Sequence, residues 1–205
     1  LIVENRYPHD PRVRNEATAL IAAGYRVTVI SLRAHDEASH AFFNGVEAYR
    51  IPRIALFDKT KRSGQTWFGK AVTACKTLLG YLVEYSYFTF GSLLISLYIC
   101  AKQRVDVIHL NNPPDTLCIV AAVHKLLGKK IVFDHHDLSP ELYLSRYAIR
   151  GEGKGFVYRT LLLLEKISLK LADVVIATNE SYREIEIRRG KLDPRKVFVV
   201  RNGPD

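Results

Sequence analysis

Short runs of Val and Ile alternate with longer helical patterns along most of this 205-residue chain. Such alternation indicates βαβ units, in which helices cover a parallel sheet. A run such as Val174-Val175-Ile176 has no polar alternation, as expected of a strand that is covered on both faces. The sequence therefore predicts one α/β domain over residues 1–205. The predicted strands are Leu1–Val3, Arg26–Leu32, Val46–Ile51, Val105–Leu110, Lys130–Asp134, Asp173–Ala177 and Val197–Val200.

Helical patterns separate these strands at 12–23, 116–128, 156–172 and 180–189. Gly24 and Gly128 end the first two patterns, since glycine readily takes the left-handed conformation that closes a helix. Residues 52–70 fit neither pattern and contain Pro, Gly and several Lys and Arg residues, so we expect an exposed basic loop there.

The segment Leu78–Ala101 contains one formally charged residue, Glu84, and is long enough to span a bilayer. A strand is predicted at Val105–Leu110, directly afterwards, and a true span would separate neighbouring strands of one sheet. Besides the disfavoured span, two interpretations stay open: a helix packed within the domain, or a helix partly exposed at an interface. Five aromatic residues suit the second, and the basic residues before the segment would attract an anionic membrane surface. We therefore expect peripheral membrane contact through residues 59–101.

The chain carries a formal charge of +9, which favours anionic partners without choosing among them. A nucleic-acid partner is not expected, because the basic residues are dispersed and no RRM, KH or helix-turn-helix pattern occurs. Cys75, Cys100 and Cys118 lack CxxC spacing, as is typical of a reducing compartment. We expect a cytoplasmic protein, peripheral at the inner face of the cell membrane.

The first candidate site follows the first strand. Asp10 is a good N-cap and Pro11 a good first helical residue, so a helix should begin here with free N–H groups that can hold an anion. Arg12 and Arg14 would strengthen that site, although an ordinary solvated helix end also fits. Neither GxGxxG nor GxxxxGK[ST] occurs at this turn, which argues against a dehydrogenase or a P-loop enzyme.

The second candidate site is the end of the strand in DVIHLNNPPD, residues 106–115. Ligands of open α/β sheets bind beyond the carboxyl ends of the strands. Asn111 and Asn112 would direct amide groups into that crevice, where a sugar hydroxyl is a natural partner. The alternative is that both asparagines only cap the turn and the helix that follows.

The third candidate site is FDHHDLSPELY, residues 133–143, which places two histidines and three carboxylates just after a buried strand. Neighbouring residues of an extended strand point to opposite faces, so His135 and His136 cannot bind one metal ion together. We expect no metal site. The imidazole that faces the crevice would contact substrate, unless the two rings only satisfy structural partners.

These segments together resemble a known family. The chain is similar, nearly end to end, to the N-terminal domain of family 4 retaining glycosyltransferases with the GT-B fold, of the bacterial or archaeal type that builds surface polysaccharides. The resemblance implies a Rossmann-like, doubly wound parallel sheet with helices on both faces. The matching segments are DPRVRNEA with AAGYRVTVI, then DVIHLNNPPD, KIVFDHHDLSPELY, ADVVIATNESYRE and KVFVVRNGPD.

The resemblance also implies roles for single residues. The family histidine that contacts the donor sugar aligns with His136, which we take as the catalytic candidate. Asn179 stands where the family often has serine. The family's Gly-Gly loop after the first strand is replaced by Pro8-His9-Asp10-Pro11, which argues against donor-phosphate contact there. The candidate substrate-binding residues are Asp10, Arg12, Arg14, Asn111, Asn112, Asp137, Glu141, Asn179, Arg201, Asn202 and Gly203.

A member of this family would move a sugar from a nucleotide-sugar donor to a glycan or lipid-linked acceptor, with retention at the anomeric carbon. Residues 1–205 would form the acceptor-side domain, and the donor-binding C-terminal domain would be absent from this chain. We expect no tightly bound cofactor and no activity from the isolated fragment. Two alternatives are a non-catalytic Rossmann-like binding module and a basic nucleic-acid-binding domain.

Overall fold

The computed structural model describes residues 1–54, 67–147 and 155–201, and within them eight strands form one sheet. The strand order is β3-β4-β2-β1-β5-β6-β7-β8, and all pairs are parallel except β3 with β4. All seven predicted strands are confirmed, with shifted ends. The strands are β1 (Ile2–Arg6), β2 (Thr28–Arg33), β3 (His40–Phe43), β4 (Val46–Pro52), β5 (Val107–Asn111), β6 (Lys130–His135), β7 (Val174–Ala177) and β8 (Val197–Val199).

Six α-helices lie in the described ranges, and the sequence predicted five of them. The sixth, α4, follows β6 directly, where Ser139-Pro140 supplies a favourable first turn that the sequence argument overlooked. The helices are α1 (Pro11–Ala22), α2 (Trp67–Lys102), α3 (Cys118–Leu126), α4 (Ser139–Tyr147), α5 (Phe156–Leu171) and α6 (Glu180–Gly190).

The sheet is buried on both faces, which confirms the predicted Rossmann-like α/β class. Successive residues of β1 belong to different core clusters: Ile2 packs with residues of α2, α3 and α5, and Val3 packs with α1. This alternation follows from the pleat of a strand, whose side chains point to opposite faces in turn. Because both faces are covered, ionisable groups reach solvent mainly at the ends of the strands.

Strand β3 was not predicted. It pairs antiparallel with β4 through the turn at Asn44-Gly45, whose φ angles are 47° and 81°. Both angles are positive, as in the two-residue hairpin turn that Asn-Gly favours, so the sequence did contain the signal. The resulting β3–β4 hairpin forms one edge of the sheet, with β3 as the edge strand.

Helix α2 has two unlike sides. Its 36 residues extend about 54 Å. Phe88, Ser92 and Ile99 are buried on one side, against the domain. The opposite side exposes large apolar residues over an arc of about 160°, at 100° per residue. These residues are Leu79, Leu82, Val83, Phe90, Leu94 and Tyr98.

The described part of the chain contains one helix, Lys76–Lys102, that could cross a membrane by length and composition, and 28% of its apolar window is buried. Strands β4 and β5 precede and follow α2 in the same sheet, as the sequence argument required. The basic loop predicted over 52–70 is wrong at 67–70, which begin α2. Its residues 55–66, with Lys59, Lys61 and Arg62, lie outside the described residues.

The Asn44-Gly45 turn yields a prediction about stability. Replacing Gly45 with Ala should lower the free energy of unfolding by about 1 kcal/mol, because a side chain disfavours the positive φ that this position requires. Urea denaturation measures the change. Asn44→Gly is the matched control and should stay within about 0.5 kcal/mol of the parent protein, since glycine accepts positive φ. Equal losses in both variants would contradict this account.

Candidate functional site

The candidate site lies where β1 meets β5 and where the chain connections diverge: β1 leads through α1 to β2 on one side, and β5 leads through α3 to β6 on the other. This divergence leaves a crevice beyond the carboxyl ends of the strands, the usual ligand position in open α/β sheets. The three loops that follow β1, β5 and β6 border the crevice, because these strands are neighbours in the sheet.

The loop after β1 leads into α1 as the sequence predicted. Asp10 caps the helix by accepting a hydrogen bond of 3.0 Å from the main-chain N–H of Arg12, and Pro11 occupies the first turn. The Arg12 side chain donates back to Asp10 at 3.0 Å, and Asn5 donates to the same carboxylate at 2.8 Å. Asp10 and Arg12 line a cavity of about 660 Å³. Arg14 is exposed on α1 and does not line it.

The hydrogen bonds to Asp10 have electrostatic consequences. Burial would raise the pKa of Asp10, but its bonds from Arg12 and Asn5 outweigh that effect and lower the pKa. The hydrogen bond to Asp10 in turn raises the pKa of Arg12, and the negative charges of Asp134 and Asp137 raise it further. The start of α1 and the loop after β6 therefore act on each other across the crevice.

Asn111 and Asn112 end β5 and are both 2% exposed. The amide of Asn111 donates to the main-chain oxygen of Ile2 at 3.3 Å. The side-chain oxygen of Asn112 accepts from the main-chain N–H groups of His136 (2.7 Å) and Asp137 (3.2 Å), and its amide donates to the Asp137 carbonyl at 2.8 Å. Asn112 therefore ties the loop after β5 to the loop after β6.

His136 lies at the start of the loop after β6, and 7% of its side chain is exposed. Its Nε2 is 2.8 Å from Oδ2 of Asp134. Burial would raise the pKa of Asp134, but the imidazoles of His109 and His136 outweigh burial and lower the pKa to about 2. An ionised carboxylate only accepts hydrogen bonds, so Nε2 of His136 carries the hydrogen in this pair. Asp134 thereby fixes both the ring orientation and its tautomer.

The network continues behind Asp134. Nδ1 of His109 is 2.7 Å from Oε1 of Glu16, and its Nε2 is 3.9 Å from Oδ2 of Asp134. Burial would lower the pKa of His109, but the two carboxylates outweigh burial and raise it. One ligand atom from each of these three residues lies within 4.8 Å of the others, a spacing that could hold a metal ion. The two carboxylates also favour the protonated form of His109, with which Glu16 is in direct contact.

His135 takes the opposite direction to His136, into the interior, as strand alternation requires. It is fully buried, 2.9 Å from Glu186 and 3.8 Å from Glu165, both of which are also fully buried. Burial would lower the pKa of His135, but Glu186 and Glu165 outweigh it and raise the pKa. Arg189 bonds both Glu165 and the predicted site residue Glu141. The carboxylate of Glu141 is therefore paired with Arg189 of α6 in this structure.

The remaining predicted residues occupy different places. Asp137 follows His136 and lines a second cavity of about 450 Å³, and Asn179 caps α6 by accepting from the N–H of Tyr182 at 3.0 Å. Arg201 is exposed just after β8. Asn202 and Gly203 lie outside the described residues.

Glu16 escaped the sequence argument, and His109 and Asp134 lie within its second and third candidate segments but were not named as site residues. The available signal was in β5, where Val107, His109 and Asn111 share one face and Ile108 and Leu110 share the other. A histidine on the polar side of a buried strand requires partners, and Asp134 on the neighbouring strand is at the level of Asn111. Glu16 could not be assigned, because its position depends on how α1 packs.

An open, mainly parallel sheet with a crevice at its switch point, bordered by a capped helix and a histidine loop, is a Rossmann-like architecture, the kind of domain from which GT-B glycosyltransferases are built. Residues 10–203 match the family model described as glycosyl transferase 4-like domain. The chain belongs to this family.

Two curated relatives are similar in sequence. The chain is 28% identical over 117 residues to a phosphatidylinositol N-acetylglucosaminyltransferase subunit from Arabidopsis thaliana, covering 57% of this chain and 24% of that protein. It is 21% identical over 192 residues to an uncharacterized 42.6 kDa protein in the cps region of Klebsiella pneumoniae, covering 91% of this chain and 48% of that protein. The chain thus spans half or less of these relatives.

Solved glycosyltransferase structures share the fold. A sucrose-phosphate synthase structure from Thermosynechococcus elongatus aligns with a TM-score of 0.53 at 16% identity, covering 100% of this chain and 88% of that one. A UDP-glucosyltransferase from Polygonum tinctorium aligns with a TM-score of 0.50 at 13% identity, covering 99% of this chain and 51% of that one. At these identities the likeness confirms the GT-B type of fold.

The low pKa of Asp134 yields a prediction about pH. A carboxyl group whose pKa falls from 3.8 to about 2 on folding adds roughly 2 kcal/mol of stability above pH 4, which is lost as the pH falls through about 2. Asp134→Asn should therefore lower the free energy of unfolding by about that amount at pH 7, and the difference from the parent protein should shrink below pH 4. Urea titrations across this range measure it. Asp36→Asn, at an exposed position, serves as the control and should show no such trend. A difference that stays constant down to pH 2 would count against the assignment.

Proposed function

We propose that this chain is the acceptor-side half of an enzyme that transfers a sugar from a nucleotide-sugar donor to an acceptor hydroxyl, with retention at the anomeric carbon. The observation that carries the proposal is the meeting of three loops at one crevice, with His136 oriented by Asp134 and Asn112, in a chain that matches the family over residues 10–203. A further domain, outside this chain, would bind most of the donor nucleotide.

In this proposal His136 contacts the donor sugar near the reacting carbon. Its imidazole lies just beyond the carboxyl end of β6, and Asp134 holds it in one tautomer before substrate arrives. A polar group positioned in advance can stabilise charge that develops in the transition state without reorganising. Asp10 and Arg12 border the same crevice, where their mixed charges suit a hydroxyl-rich acceptor more than a second diphosphate.

The acceptor in this proposal is a glycan linked to a lipid, and the protein works at the cytoplasmic face of a membrane. The name of the Arabidopsis relative, which includes phosphatidylinositol, supports an acceptor of this kind. The exposed apolar side of α2 supports membrane contact, because contiguous apolar surface of this extent is costly in water. The formal charge of +9 supports attraction to anionic lipids.

The proposal is tested by assaying the complete enzyme with a panel of nucleotide sugars and a lipid-linked acceptor. The parent enzyme should transfer sugar from at least one donor, and His136→Ala should cut turnover by roughly 10²-fold or more, because a positioned polar group is lost. His40→Ala, on the exposed edge strand β3, is the matched histidine control and should retain turnover. Near-normal turnover of the His136 variant would refute its role, and no transfer from any donor would favour a binding module.

Membrane contact is tested separately by sedimentation with vesicles of anionic phospholipid. Replacing both Phe90 and Leu94 with Asp should weaken vesicle binding at least about tenfold, since two apolar side chains would no longer be buried in lipid. Leu126→Asp changes an exposed leucine of α3 and is the control. If all three proteins bind equally, α2 does not contact the membrane.

A further inference from the structure

A second cavity, of about 450 Å³, lies between α2, α4 and α5. Side chains from all three helices form most of its walls, and the surface that they present is mainly apolar, although Asp115, Thr116, Asp137, Ser139 and Thr160 also line the cavity. They include Leu78 and Leu82 of α2, Leu142 of α4, and Val157, Leu161 and Leu164 of α5. We call this cavity the apolar groove.

The apolar groove adjoins the candidate site at one end. Tyr81 and Tyr85 of α2 line both the apolar groove and the 660 Å³ crevice cavity, so the two spaces share a wall. Asp137, which follows His136 directly, and Ser139 also line the groove. A molecule that fills both spaces would therefore have a polar end beside Asp10 and Arg12 and an apolar end between the helices.

The other side of the apolar groove reaches the surface at α2. Leu79 and Leu82 line the groove and also belong to the exposed apolar side of the helix, where they are 54% and 59% exposed. A hydrocarbon chain could thus pass from a membrane in contact with α2 into the groove while staying against apolar side chains. A peptide partner fits less well, because the groove offers few polar groups for a main chain, whose N–H and C=O groups need partners when buried.

We propose that the apolar groove binds the hydrocarbon chain of the lipid-linked acceptor and so directs its sugar end into the adjoining cavity, beside Asp10 and Arg12. The proposal rests on the proposed function for the identity of the acceptor. The groove would select acceptors by the length of their chain, while the crevice selects the sugar.

The test uses the complete protein and two probes, octadecyl phosphate and hexyl phosphate, each carrying a photoreactive diazirine in its chain. After irradiation, mass spectrometry should locate octadecyl adducts on α4 and α5 around Leu142, Leu161 and Leu164, with at least fivefold less labelling by the hexyl probe at equal concentration. Labelling does not require catalysis. Failure of sugar transfer would therefore overturn the proposed function, and failure of groove labelling would overturn this one.

Variants sharpen the test. Leu161→Trp places a larger ring in the groove and should reduce octadecyl labelling of α4 and α5 at least fivefold, whereas Leu163→Trp, on the exposed side of the same helix, should not. Leu142→Trp fills the groove from α4 at a position 38% exposed, and it gives the same reading if the first variant fails to fold. Adducts confined to the outer side of α2, or unchanged labelling in a folded groove variant, would overturn the proposal.

Discussion

Strand β1 lies between β2 and β5 in the sheet. The connection after β1 leads to β2 on one side, and the connection after β5 leads to β6 on the other side. That arrangement opens a space between the loops that no side chain of the core can fill. The sheet is covered on both faces, so the polar ends of β1, β5 and β6 are where charged groups meet solvent. The positions of Asp10, Asn112 and His136 all follow from this one feature of the topology.

The two adjacent histidines, His135 and His136, differ in burial and in their charged partners. His135 lies in the interior between two buried glutamates, a group that is tolerable only because opposite charges and Arg189 compensate one another. His136, the first residue after β6, keeps 7% of its side chain exposed and is held by Asp134 of that strand. Strand alternation thus sends one imidazole into the interior, where it supports the fold, and the other in the opposite direction.

The sequence predicted the parallel sheet because buried strands and helix caps leave local signals, such as Val174-Val175-Ile176 and Asp10-Pro11. The resemblance pointed to His136 rather than His135, and in the structure His136 keeps 7% of its side chain exposed while His135 is fully buried. The family assignment is confirmed; the residue's role stays a prediction. The features that the sequence did not predict depend on contacts between residues that are far apart along the chain. Glu16 meets His109 only after α1 has packed on the sheet, and the apolar groove exists only where three helices that are remote in sequence converge.

Asn112 gives the crevice a mechanical property. Its side chain makes three hydrogen bonds to the main chain of His136 and Asp137, each worth about 1 kcal/mol. A displacement of Asn112 must therefore either move His136 with it or break all three hydrogen bonds. The loops after β5 and β6 should therefore move together as one rigid unit. An acceptor that contacts the end of β5 would then also change the orientation of His136.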